Sequence, residues 1–211
     1  MISKKNLLKK SRLYLIVDKN NLSGRPLIKA INLIKESAVD IIQLRNKTSE
    51  KPQILKEATK ISNILREKNI LFIVNDHADI ARISDSDGVH LGQNDASIET
   101  ARRILGYDKI IGVSCQSLKQ AILAQNKGAD YIGIGPIFKT KTKPDEKPIG
   151  PGLIKTLKKK IRIPVFAIGG ISLSNLNLIL SSGIKTIAVS SAILSTPNIP
   201  STVNQFSQRL A

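Results

Sequence analysis

YIGIGPIFKTKTK, residues 131–143, is the stretch from which the rest of the chain can be read. Tyr131 to Ile134 form an unbroken apolar run of strand length, the pattern of a strand buried on both faces. Gly135-Pro136 then ends the ladder, because proline has no N–H to contribute to it. Beyond the turn come Thr140 and Thr142, interleaved with Lys139, Lys141 and Lys143. Hydroxyls and ammonium groups on a loop at a strand end suit an anion with several oxygens, such as phosphate or pyrophosphate. A solvated, lysine-rich surface loop would have the same composition, so the other strand ends decide between the two.

The strand-then-loop unit recurs from end to end. Further strand-length runs fall at 13–17, 40–44, 70–74, 88–90, 109–113, 164–168 and 186–189, and helix-like stretches at 26–36, 52–68, 78–84, 97–105, 117–127, 152–160 and 172–182. In 52–68, Ile54, Leu55, Ala58, Ile61, Ile64 and Leu65 fall at helical spacing while Lys56, Glu57, Lys60, Arg66 and Glu67 face away, as in a helix docked on a sheet. Gly128, Gly183 and Asn69 follow helices where a left-handed cap is wanted. Eight strands alternating with helices in 211 residues predict a single-domain α/β protein, a (β/α)8 TIM barrel over 1–211 whose first 11 residues are a basic extension. A doubly wound open sheet shares the alternation, but no GxGxxG follows the first strand and no composition break suggests a second domain. In a barrel, loops far apart in sequence converge on one mouth at the C-terminal strand ends.

Composition narrows the partners. There are 33 basic against 16 acidic residues, a net charge of +17, while aromatics are 3% with no Trp. Positive charge suits nucleic acid, an anionic membrane or anionic small substrates. The lysines are scattered, apart from Lys4, Lys5, Lys9 and Lys10, and stacking aromatics are scarce, which disfavours a nucleic-acid platform. The core is expected to be Ile, Leu, Val and Ala. The single Cys115 excludes an intramolecular disulfide and reads as a small core filler. No apolar stretch approaches the length of a membrane span. The expected setting is cytoplasmic, with small-molecule substrates, no nucleic acid, no membrane, and homo-oligomerisation left open.

The other strand ends are chemically loaded. Gln43 and Arg45 alternate onto one side of the second strand, inward in a barrel, with Lys47 just beyond. An inward Arg45 needs an anion; an outward surface ion pair is the alternative. Asn75-Asp76 follow the third strand and Asp95 the fourth. These carboxylates could serve as hard oxygen ligands for Mg²⁺ beside phosphate oxygens and water, or could cap the helices that follow. His90 could be an acid–base group, although a single histidine at a strand end more often makes a structural hydrogen bond. Ser114 follows the fifth strand and can donate into the mouth, while Ser117 reads as an N-cap. Gly169-Gly170 and Ser190-Ser191 close the seventh and eighth strands, where backbone N–H groups can approach a phosphate. A plain tight turn also explains the glycine pair. No Ser–His–Asp set or paired-thiol metal motif is present. The inventory suggests two anion sites, one for a phosphate monoester and one for a pyrophosphate.

The strings IQLRNK, IVNDHADIA, DGVHLGQND, GADYIGIGPIFKTKTK, IPVFAIGGI and VSSAI, in this order from Leu13 to Ala192, resemble the thiamine-phosphate synthase family. The resemblance implies a (β/α)8 barrel that transfers hydroxymethylpyrimidine from its pyrophosphate to a thiazole phosphate, with Mg²⁺ as cofactor and pyrophosphate as leaving group. Carried over, Gln43, Arg45, Lys47, Asn75, Ser114 and Lys143 look like the pyrimidine-pyrophosphate contacts, with Arg45, Lys47, Ser114 and Lys143 the catalytic set. Asp76 and Asp95 look like the metal ligands, and Thr140, Thr142, Gly170, Ser190 and Ser191 the thiazole-phosphate side. The chain departs from the family pattern at His77, Gln116, Asn46, Lys139 and Ser190, where Arg, His, Glu, Pro and an aliphatic residue are common. Asn46 would remove a charge partner between Arg45 and Lys47. The rival readings are a thiazole tautomerase-like barrel, against which Gln116 in place of a histidine argues, and a basic nucleic-acid or anion binder.

Overall fold

A computed structural model of the chain describes residues 3–140 and 146–211. Eight parallel strands close into a barrel in sequence order: β1 Leu13–Asp18, β2 Ile41–Arg45, β3 Leu71–Asn75, β4 Gly88–Leu91, β5 Ile110–Cys115, β6 Tyr131–Ile134, β7 Val165–Ile168 and β8 Ile187–Val189. The helices are α1 Lys4–Lys10, α2 Leu27–Ile34, α3 Lys51–Leu65, α4 Ala78–Ile83, α5 Ile98–Leu105, α6 Leu118–Asn126, α7 Gly152–Lys160, α8 Leu176–Leu180, α9 Ser191–Leu194 and α10 Ile199–Leu210. β8 pairs with β1, Leu13 opposite Ile187, and that pairing closes the cylinder.

Two apolar layers follow from the period-2 alternation of the strands. Leu13, Leu15 and Val17 of β1, Ile42 and Leu44 of β2, and their equivalents face outward against helices, together with Ile54, Ala58, Ile61 and Leu65 of α3. Tyr14, Ile16, Ile41, Leu71, Ile73, Ile110, Tyr131, Phe166 and Ala188 face the barrel axis. The aliphatic core expected from composition is the outer layer; the interior instead concentrates rings. Phe166 meets Tyr14 edge-on at 5.4 Å and Tyr131 at 5.6 Å, an arrangement that suits the ring quadrupoles. Gly112 makes room for it, since a Cβ there would lie 2.0 Å from Tyr131 Cζ.

Three helices, α1, α9 and α10, have no counterpart among the predicted helices. α1 occupies the stretch expected as a basic extension, and its Leu8, 2% exposed, joins the axial cluster from below. The tie is reinforced by Lys4 to Asp87 at 2.7 Å and Lys5 to Asp130 at 3.0 Å. α10 packs Ile199, Val203, Phe206 and Leu210 into the outer layer. The helix expected at 172–182 is shorter, because Ser172 N–H is taken by the Asn175 side chain and the helix proper starts at Leu176. Gly128 and Gly183 have positive φ after their helices, as expected, whereas Asn69 does not take the left-handed conformation expected of it. Among the described residues, no helix is long and apolar enough to cross a membrane.

Candidate active site

Every predicted site residue that the structure describes lies at the C-terminal end of the barrel, on a strand end or the loop after it. Thr142 and Lys143 lie outside the described residues.

β2 delivers the first pair. Gln43, 2% exposed, donates from Nε2 to Tyr14 Oη at 2.6 Å, so the inward side expected for Gln43 and Arg45 is the side they take. Arg45 finds its anion within the protein: its guanidinium donates to the buried carboxylate of Asp18, directly across in the β1–β2 register. Asp18 is a residue the sequence reading missed. Its only signal was that a carboxylate closes the first apolar run, and a strand terminus is an ordinary place for one.

Asn46 does not lie between Arg45 and Lys47 in the mouth. It is buried on the other side of the strand end, where Nδ2 donates to Glu57 Oε2 at 2.9 Å and Oδ1 accepts from Ser49 N–H at 3.1 Å. Glu57 also accepts from Lys19 at 2.9 Å and Gln53 at 2.9 Å. Burial pushes this carboxyl upward, but the bonds from Lys19, Gln53 and Asn46 and the Lys19 charge outweigh it and hold the pKa below its ordinary value. The network pins the segment that carries Lys47.

Lys47 donates to Asp76 Oδ2, and the Asp76 and Asp95 carboxyls are hydrogen-bond neighbours. Asp76 sits at φ 64°, a left-handed conformation that only a few non-glycine residues, Asp among them, adopt readily. Its N–H is held by His90 O at 2.8 Å. Asp95 Oδ2 closes its own turn on Gly92 N–H at 2.6 Å. Neither carboxylate caps a helix: the residue at the α4 N-cap is His77, and α5 is capped by Ser97, which accepts from Thr100 N–H. Burial raises the Asp76 carboxyl above its usual range, with Lys47 opposing and Asp95 adding to the rise. For Asp95 burial acts upward too, but the Asp76 and Gly92 hydrogen bonds and the charges of Lys47 and His77 hold it low. Two carboxyls this close favour a shared proton or a cation between them. Their all-oxygen donor set fits Mg²⁺, which takes one or two carboxylates and fills its other positions with water and phosphate oxygens. Among the described residues no group of three metal-ligating side chains exists, so protein atoms alone would not complete a coordination shell.

Ser114 is joined to the barrel interior rather than left loose. His90, 8% exposed, accepts or donates at both ring nitrogens, Nε2 with Ser114 Oγ at 2.9 Å and Nδ1 with Tyr131 Oη at 2.9 Å. Tyr131 Oη in turn meets Tyr14 Oη at 2.8 Å, which receives Gln43. A continuous buried chain therefore runs Gln43–Tyr14–Tyr131–His90–Ser114, and the structural role expected of His90 is the one it has. Asn75 is half-buried beside His90 in the β3–β4 register. Cys115 is buried with its thiol pushed up to about 12 by burial, an inert filler as expected.

On the opposite side of the mouth, Gly169 and Gly170 have positive φ, and a Cβ on Gly170 would lie 2.5 Å from Lys139 O. The glycine pair thus lets the loop after β6, which carries half-buried Thr140, close against the loop after β7, with Phe138 N–H donating to Gly169 O at 3.0 Å. Tight-turn packing and amide exposure coexist here. The N–H groups of Gly170, Ser191 and Ala192 meet no acceptor among the described residues. Ser190 Oγ accepts from Asn21 Nδ2 at 2.9 Å, and Ser191 is exposed.

Comparison with known proteins identifies the family. A family described as thiamine monophosphate synthase matches residues 13–193. The thiamine-phosphate synthase of Clostridioides difficile (strain 630) is 38% identical over 210 residues, covering 100% of both chains. That of Prochlorococcus marinus (strain AS9601) is 44% identical over 90% of this chain, which spans 53% of that longer protein. The solved structure of a thiamine phosphate pyrophosphorylase from Pyrococcus furiosus superposes with a TM-score of 0.87 at 32% identity, covering 98% of this chain and 96% of that one. With the family pattern matched over nearly the whole barrel, the chain belongs to the thiamine monophosphate synthase family.

Proposed function

We propose that the barrel mouth joins a hydroxymethylpyrimidine pyrophosphate to a thiazole phosphate, releasing pyrophosphate and forming thiamine phosphate. The observation that carries this reading is the Lys47–Asp76–Asp95 cluster beside the Asp18–Arg45 pair at the mouth of a barrel of this family. Asp76 and Asp95 would hold Mg²⁺, which when bound neutralises charge on the pyrophosphate oxygens. Arg45 and Lys47 flank the same anion, and Lys143 is assigned there by resemblance. Both described cations are now paired with carboxylates, so substrate binding exchanges the Asp18 and Asp76 contacts, at least in part, for phosphate oxygens. Gln43 and Ser114 sit at the two ends of a hydrogen-bond chain that is buried except at Ser114, and donors with fixed partners suit the polar edge of a pyrimidine. Asn75 adds an amide beside them.

Bond breaking is assigned to the methylene–oxygen bond of the pyrimidine pyrophosphate. Electrons leave with the pyrophosphate, the aminopyrimidine ring stabilises the cation that remains, and the thiazole nitrogen then bonds to the methylene carbon. Little proton transfer is required, which agrees with a histidine committed at both nitrogens to Ser114 and Tyr131. The chain's contribution is charge placement and alignment of the two reactants. Thr140 and Thr142, with Gly170, Ser190 and Ser191, are assigned to the thiazole phosphate. The amides of Gly170 and Ser191, which meet no acceptor among the described residues, support that assignment.

The test is direct. Purified chain, both phosphorylated substrates and Mg²⁺ should give thiamine phosphate by mass spectrometry with one pyrophosphate released per product. Omitting either substrate or the metal should abolish both signals. No coupled product with all components present would overturn the assignment.

A further inference from the structure

The end of the barrel opposite the mouth has a hollow that the reaction does not use. A cavity of about 620 Å³ opens between α1 and the turns leading into β6, β7 and β8. That volume is in the range of small-molecule sites. Its wall carries Lys5, Lys9, Lys158, Arg162 and Lys185 against one side-chain carboxylate, Asp130. Asp130 is already shared, at 3.0 Å from Lys5 and 2.7 Å from Arg102. Among the described residues, Lys158 bonds only the carbonyl of Gly183 at 3.0 Å, and Lys185 only an oxygen of Ala211 at 3.1 Å. The side chains of Lys9 and Arg162 have no hydrogen bond or ion pair among the described residues. Cations converging on one hollow with so little compensation repel one another, and one multiply charged anion relieves several of them at once.

A second recess of about 420 Å³ shares Lys5 and Asp130 with the first and runs on to Arg102, Arg103, Tyr107 and Lys127, the last paired with Glu99 of the same wall at 3.2 Å. Tyr107 is 82% exposed, and the Arg102 guanidinium carbon lies 5.9 Å from its ring centroid. An exposed ring with a guanidinium beside it offers a face to a planar group. Tyr107 is the single aromatic residue lining either hollow, too little for a track of stacked bases.

We propose that this end of the barrel binds a small molecule carrying a polyphosphate chain. The phosphates lie among Lys9, Lys158, Arg162 and Lys185, and any attached planar ring lies against Tyr107.

Isothermal titration of the full chain without Mg²⁺, using sodium tripolyphosphate and adenosine triphosphate separately, tests this. Tripolyphosphate should bind, and the double change Lys9→Glu/Arg162→Glu should weaken it at least about tenfold. Arg45→Ala, which removes a cation at the mouth, should leave that binding in place. Because the side chains of Lys9 and Arg162 are exposed and have no partner among the described residues, the double variant should melt no lower than the parent; if it melts lower, Lys9→Gln and Arg162→Gln singly should each weaken binding about threefold. Tyr107→Ala weakening only the nucleotide would identify a ring-bearing ligand, and no change for either probe would identify the bare chain. Absence of binding, or binding lost in Arg45→Ala but kept in Lys9→Glu/Arg162→Glu, would overturn the proposal. The second pattern would also leave the proposed reaction intact, since it assigns the anion to the mouth.

Discussion

Arg45 shows how one side chain carries both a fold requirement and a chemical one. Its guanidinium is half-buried and matched to Asp18, so the charge is tolerated before any substrate arrives. A lysine keeps the charge but loses the planar fork that can hold a carboxylate and face a pyrophosphate. Arg45→Lys should therefore lower kcat/KM for pyrophosphate release by about a hundredfold, the scale seen when one donor to developing charge is removed, with little change in melting temperature. Turnover at the parental rate would remove Arg45 from the site. Gly112 is a residue-scale requirement of the opposite kind. An alanine there would press its Cβ into the Tyr131 ring, which cannot retreat because its hydroxyl is bonded to both Tyr14 and His90. Gly112→Ala should cost about 3 kcal/mol, the upper range for overpacking, read by denaturant unfolding. It should also lower activity through Ser114, the far end of the same chain. Unchanged stability would mean that the barrel interior is looser than its hydrogen bonds indicate.

At the scale of elements, α1 and the start of α3 do work that their sequences conceal. Leu8 of α1 plugs the axial cluster from below, 2% exposed, on a helix of seven residues that could not persist alone. Leu8→Ala should lower stability by about 2–3 kcal/mol, the low end for a buried leucine because a short terminal helix can shift to fill the gap. Turnover at 25 °C should be close to parental, because the mouth lies at the other end. On α3, Glu57 holds Asn46 and Lys19 and so fixes the entry to Lys47. Its folded pKa lies below its unfolded value of about 4.5. It therefore contributes stability above that pH and loses the contribution as pH falls through the lower, folded value. Glu57→Gln should be less stable at pH 7, by about 1–3 kcal/mol for broken charge-assisted bonds, and the two unfolding curves should converge as pH falls below 4.5. Parallel curves at every pH would show that the Glu57 charge contributes nothing.

The same elements mark what could be read in the chain. β6 was legible to the residue, and all eight strands were legible within a residue or two, because parallel strands buried on both faces are unbroken apolar runs. The C-terminal clustering of Gln43, Arg45, Lys47, Asn75, Asp76, Asp95 and Ser114 followed from barrel topology alone. α1 was not legible: with Lys4, Lys5, Lys9 and Lys10 around two leucines it reads as a charged tail, and only the open end of the barrel gives Leu8 a place to be buried. Nor were the partners of Arg45 and Ser114. Asp18 and His90 are brought to them by the pairing of neighbouring strands, at sequence separations that no local pattern encodes.

For the molecule as a whole, the governing quantity is the excess of 33 basic over 16 acidic residues. Even if every carboxylate were paired, at least as many cations would be left without one. The ion pairs that exist are mostly at the surface, as at Lys51–Asp79 and Lys68–Glu36, where each contributes about 0–1 kcal/mol. Screening weakens these pairs and also weakens repulsion among the unpaired cations, and the two effects act on stability with opposite sign. Repulsion should win, because it is summed over many long-range pairs while the attractions are few and short-range. Raising sodium chloride from about 0.01 M to 0.15 M shortens the screening length from roughly 30 Å to 8 Å, less than the width of the barrel. The melting temperature of the unliganded chain should therefore rise across this interval, and the rise should be smaller in a variant with surface lysines of α7, Lys155 and Lys159, changed to Glu. A melting temperature that falls with salt would show instead that the ion pairs tying α1, α3 and α5 to their neighbours outweigh the net charge.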